Sequence, residues 1–91
     1  MPIKGKGLDP RAVAVGLTAV RLLEVDTERE GSLIVNSGTI TLYLGHANTV
    51  TTATGIPLAA GASRWDDVTN NELWAIAGAA TGGEARVEEV V

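Results

Sequence analysis

Residues 33–58 read LIVNSGTITLYLGHANTVTTATGIPL, and the kind of fold open to the chain turns on this stretch. It holds two short apolar runs, Leu33-Ile34-Val35 and Ile40-Thr41-Leu42-Tyr43-Leu44, with Asn36-Ser37-Gly38 between them. Asn and Gly tolerate positive φ and Ser bonds its own backbone, so the spacer predicts a tight turn joining two strands in a hairpin. On a strand, Ile40, Leu42 and Leu44 point one way while Thr41 and Tyr43 point the other. The Thr- and Gly-rich tail follows, with residues 49–52 as a weak exposed strand in which Val50 alone points inward. Pro57 cannot donate to a ladder, which puts residues 55–58 at a sheet edge or a strand end.

Toward the N-terminus, residues 1–11 predict an extended arm rich in Gly and Pro, followed by a single domain over 12–91. Residues 12–15 and 18–24 are read as strands with a bend at Gly16; their Val and Thr favour a strand over a helix, and Gly16 would weaken a helix. The run Asp26-Thr27-Glu28-Arg29-Glu30-Gly31 is a polar turn with too many charges to be buried. Toward the C-terminus, residues 66–71 are rich in side chains that bond local backbone and suit a loop or one helical turn. Leu73-Trp74-Ala75-Ile76-Ala77 has apolar residues on both faces, the mark of a central strand or of one covered by another subunit. Residues 84–91 alternate as a closing strand with Ala85 and Val87 inward. Seven or eight short strands separated by Gly, Asn, Asp and Thr turns predict an all-β fold, a small antiparallel sandwich or jelly-roll-like barrel.

The chain has 91 residues, no Phe, one Tyr and two Trp, so its core is built from small aliphatic side chains. A domain of this size buries a modest share of its surface, and with no Cys it has no disulfide to staple it. His46 is the only His, which rules out a Cys/His metal site. Association with other copies is the remaining way to bury more surface. A formal charge of −4 argues against a nucleic-acid partner. No apolar run reaches membrane-spanning length and no secretory signal is apparent, which points to a chain made and used in a cytoplasm, or assembled into a particle there.

No catalytic set can be assembled from the residues, and a non-enzymatic role is expected with no cofactor and no metal. His46 follows Gly45 in a turn without a nucleophilic Cys or an orienting carboxylate, and it reads as a solvated loop histidine. Asp66, Asp67, Asn70, Asn71 and Glu72 offer oxygens for Ca²⁺, but turn formation explains the same residues and the spacing is not that of an EF-hand. The Gly78–Gly83 segment lacks the Lys-Ser/Thr of a phosphate loop. The three aromatics remain. Tyr43 is out of phase with the inward face of its run and Trp74 with Leu73, which marks both as interface anchors; Trp74 filling the core and Tyr43 covering a neighbouring strand is the plain alternative.

The ordered set Val35-Asn36 with Gly38, Leu42-Tyr43-Leu44-Gly45, Val50-Thr51, Gly55-Ile56-Pro57-Leu58 with Gly61, Leu73-Trp74-Ala75-Ile76-Ala77 and Arg86-Val87-Glu88-Glu89 resembles the small β-sandwich structural proteins of tailed bacteriophages. The likeness covers about residues 20–91, with Trp74 standing where those proteins usually have Tyr. It implies a virion component: a capsid decoration (cement) protein, a head-fibre base or a tail-associated module. Decoration fits a compact domain with no fibre segment. It implies a homotrimer on the capsid exterior bound to the major capsid protein, with Lys4, Lys6, Arg11, Tyr43, Trp65 and Trp74 as candidate interface residues. The basic arm is then expected to reach over an adjacent capsid subunit. A receptor- or glycan-binding module using Trp65 is the competing reading.

Overall fold

The structure is a computed structural model describing residues 9–66 and 71–91. It is all-β: among the described residues there are eight strands and no helix. They are β1 (Arg11–Val15), β2 (Val20–Leu23), β3 (Gly31–Asn36), β4 (Leu42–Gly45), β5 (Ile56–Leu58), β6 (Ser63–Asp66), β7 (Leu73–Ala77) and β8 (Gly83–Val90). Two antiparallel four-stranded sheets form, sheet A in the order β1-β8-β3-β6 and sheet B in the order β2-β7-β4-β5. First pairs with last, second with seventh, third with sixth and fourth with fifth. This nested pairing is the jelly roll, a long β-ribbon folded over on itself.

The sheets face each other across an aliphatic core. Sheet A contributes Val15, Ile34, Ala85 and Val87, and sheet B contributes Leu22, Leu42, Leu44, Leu58, Leu73, Ala75 and Ala77. Their period-2 alternation is what the strands of a half-covered antiparallel sheet require. Ala85 and Val87 are fully buried, as the alternation of residues 84–91 predicts. Strand β7 is central in its sheet and β5, with Pro57, is an edge.

The hairpin expected across Asn36-Ser37-Gly38 does not form. Strand β3 lies in sheet A and β4 in sheet B, so the two apolar runs face each other across the core. The backbone groups a tight turn would use are taken by β8 and the residue just before it. Ser37 and Gly38 N–H donate to Glu84 O, and Thr39 N–H donates to Gly82 O. The Asn36 side chain, wholly buried, holds the crossover. Its Nδ2 donates to Ile40 O at 2.9 Å and Leu58 O at 2.8 Å, and its Oδ1 accepts Gly38 N–H at 3.0 Å. Gly38 is required for space rather than for positive φ, because a Cβ there would lie 2.3 Å from Gly82 O.

Three smaller expectations also change. Residues 52–54 form a turn closed by Thr51 and Thr54, in place of a strand, although Val50 is buried as expected. Arg11 belongs to β1, paired with Val87, and is not part of a free arm. In the charged 26–31 run Arg29 is buried, because its guanidinium finds partners on three other segments. The loop expected over residues 66–71 falls largely on 67–70, outside the described residues.

Candidate functional site

The outer face of sheet B is apolar as well as the inner one. On β7, Leu73, Ala75 and Ala77 are buried inward, which turns Trp74 and Ile76 out; on β4, Leu42 and Leu44 point in and Tyr43 out. The register sets Tyr43 between Pro57 and Ile76 in one row. A second row sets Trp74 between Gly45 and Arg21. Gly55 lets the chain pass close to Tyr43, since an added Cβ would lie 2.6 Å from the tyrosine Cβ. Phase in the sequence therefore predicts the outward Tyr43 and Trp74 correctly, and the reading in which Trp74 fills the core is overturned.

Arg21 lies over the Trp74 ring, 5.9 Å from its centroid, and its Nη2 donates to Glu24 Oε1 at 3.0 Å. Such a stack lets an arginine cover apolar surface while its charge stays solvated. The Trp74 indole N–H is buried with no acceptor among the described residues. An unpaired buried donor costs free energy in the isolated domain. Sheet B thus offers two aromatics, Ile76 and Pro57 around one neutralised cation.

Trp65 sits elsewhere. It is on β6 at the edge of sheet A, 53 % exposed, with its ring lying across Gly31. Leu33 is its cross-strand neighbour, and Glu88 follows on β8. The outward positions of β8 carry Glu84, Arg86 and Glu88; Glu84 accepts Ser37 Oγ–H at 2.7 Å and pairs with Arg86 at 3.6 Å. The structure therefore brings Tyr43 and Trp74 together and puts Trp65 on the opposite face. Lys4 and Lys6 lie outside the described residues.

One end of the sandwich is closed by ions. Glu89 bridges Arg11 at 3.1 Å and Arg29 at 3.2 Å, and the Arg29 side chain is only 2 % exposed. Arg29 also donates to Glu24 O and Asn71 O, while Arg11 Nη2 donates to Leu22 O in the other sheet. Sequence reasoning missed this cluster; the signal was Glu89, which shares the inward phase of Ala85 and Val87. A cavity of about 490 Å³ opens beside it, lined by Arg11, Arg21, Glu24, Asp26 and Glu89, with most of these charges already paired with one another. His46 is exposed, its Nδ1 3.0 Å from Glu72 O. Among the described residues no group of three His, Cys, Asp or Glu is placed to hold a metal ion, and no helix is long and apolar enough to cross a membrane. Searches against protein families, curated proteins and solved structures return no match to this chain.

Proposed function

We propose that this chain is a non-enzymatic structural protein of a tailed-phage virion, a capsid decoration protein that assembles as a homotrimer on the shell exterior. The observation that carries the reading is sheet B, whose outer face presents Tyr43, Trp74, Ile76 and Pro57 where an uncovered antiparallel sheet would be polar. A face of this composition is completed by another chain. The jelly roll is an architecture used in viral capsids, and the ordered motifs of residues 20–91 resemble phage sandwich proteins; both support the reading by analogy.

The mechanism is mechanical. Each copy buries surface at a junction between shell subunits, and binding only to the assembled state stabilises it by mass action. A standard interface removes about 800 Å² from each partner. The whole described domain exposes 5389 Å², so one such contact on a neighbouring copy and one on the shell are both accommodated. Electron cryo-microscopy of the particle that carries this chain tests the proposal. Density for the sandwich at capsid symmetry axes is expected; density confined to the tail, or none on the particle, would refute decoration.

A further inference from the structure

The outer face of sheet A carries a second feature that the shell reading does not use. A mostly apolar groove of about 340 Å³ runs between Pro10, Leu33, Val35, Arg86 and Glu88. Leu33 and Val35 form its floor and are half-buried. We propose that a second copy of this chain docks here, the outer face of sheet A against the outer face of sheet A, about a two-fold axis that runs across the strands.

The register makes this face complementary to itself. Arg86, Val35 and Ser63 form one row across β8, β3 and β6, and Glu88, Leu33 and Trp65 form the next. Both rows are out of phase with the buried Ile34 and Val87, so they point outward. A two-fold axis in the interface, perpendicular to the strands and midway between the rows, lays the first row of one copy on the second row of the other. Arg86 then meets Glu88 of the second copy, and Glu88 meets its Arg86. Leu33 packs on Val35 from each side. Trp65, 53 % exposed, lies over the small, exposed Ser63. Every charge meets its opposite and the largest ring meets the smallest side chain, which is the reciprocity an isologous interface requires.

Other arrangements lack that match. A two-fold axis parallel to the strands sets Arg86 on Arg86, or lays it on the aliphatic floor, according to where the axis falls. Docking on the outer face of sheet B stacks opposite faces head to tail, a contact that propagates without closing. It also brings Glu88 to a cation, Arg21, that already donates to Glu24. On sheet A the charges are available: Glu88 has no ion-pair partner among the described residues, and Arg86 holds Glu84 at 3.6 Å in a solvent-exposed pair that costs little to exchange.

The face measures about 14 Å across its four strands and about 17 Å along five residues. That footprint is well short of the roughly 800 Å² each partner gives up in a standard interface. The contact is therefore weak in dilute solution and forms where copies are concentrated. It does not rest on the decoration reading, because it uses only the outer face of sheet A.

Charge reversal gives a test that this register passes and the others fail. Arg86→Glu alone sets carboxylate against carboxylate at both sites, and Glu88→Arg alone sets guanidinium against guanidinium. An equimolar mixture of the two variants restores both pairs, since one copy then carries two acids and the other two bases. Both variants keep a net negative charge, so net charge alone does not draw them together. Light scattering follows the weight-average mass from micromolar to millimolar concentration, with circular dichroism confirming the fold. Sheet B is intact throughout, so the mass at low concentration reports its contact and the rise above that mass reports this one. The native chain is expected to show the rise, each variant alone to associate roughly tenfold more weakly or less, and the mixture to recover the native rise. A native chain that shows no rise would overturn the proposal. So would single variants that associate like the native chain, or a mixture that associates no better than they do.

Discussion

Replacing Asn36 removes the side chain that holds the two sheets at their crossover. The amide is wholly buried and makes three hydrogen bonds, to Ile40 O, Leu58 O and the Gly38 N–H. Asn36→Ala leaves all three backbone groups without that partner. At about 1 kcal/mol net for each bond, the expected loss is roughly 3 kcal/mol. A domain of this length has about 5–10 kcal/mol in total, on the order of a tenth of a kcal/mol per residue, so the variant keeps a fold but a fragile one. Asn36→Asp is worse. It turns a buried carboxylate toward two carbonyl oxygens, replacing two donors by repulsion and desolvating a charge. Urea unfolding followed by tryptophan fluorescence measures both. With a slope near 1 kcal/mol per molar, the Asn36→Ala midpoint falls by about 3 M and the slope is unchanged. A shift below about 0.5 M would refute the argument that this amide organises the crossover.

The glycines separate two kinds of effect: Gly38→Ala drives a Cβ against Gly82 O and costs about 2–3 kcal/mol, whereas Gly78→Ala meets open space and stays within about 0.5 kcal/mol, both read from denaturation midpoints. Glu89→Gln deprives the buried Arg29 of its carboxylate and destabilises by roughly 2–3 kcal/mol, while Glu24→Gln at the exposed Arg21 pair changes stability by no more than about 0.5 kcal/mol. Trp65→Ala leaves the melting temperature of the domain nearly unchanged, since the ring lies outside the core at a sheet edge; a loss of several degrees would show that it is structural.

Much of this architecture is legible in the residues, and the reasons for what is not are physical. Alternation reports which side of a strand faces the core, so Ala85, Val87, the outward Tyr43 and the two-faced β7 are all readable from phase. Alternation says nothing about which strand lies beside which. A run such as 33–35 followed by 40–44 looks the same whether the strands pair or cross between sheets. The deciding groups are backbone N–H donors of Ser37, Gly38 and Thr39 that Glu84 and Gly82 claim from more than forty residues away. Arg29 was hidden for a related reason. Charge predicts exposure unless partners are waiting, and its partners come from residues 24, 71 and 89. The three aromatics were individually identified, but their division between opposite faces depends on sheet order and was beyond reach of the chain alone.

The central claim is that the outer face of sheet B is completed by another copy. Sedimentation equilibrium of the purified chain tests it most directly, comparing the native sequence with the Tyr43→Lys/Ile76→Lys double variant. Both substitutions lie on the outer face, so the fold should persist and is checked by circular dichroism. The account predicts a trimer for the native chain at micromolar concentration and a folded monomer for the variant. A native chain that stays monomeric, or a variant that still forms trimers, would contradict it.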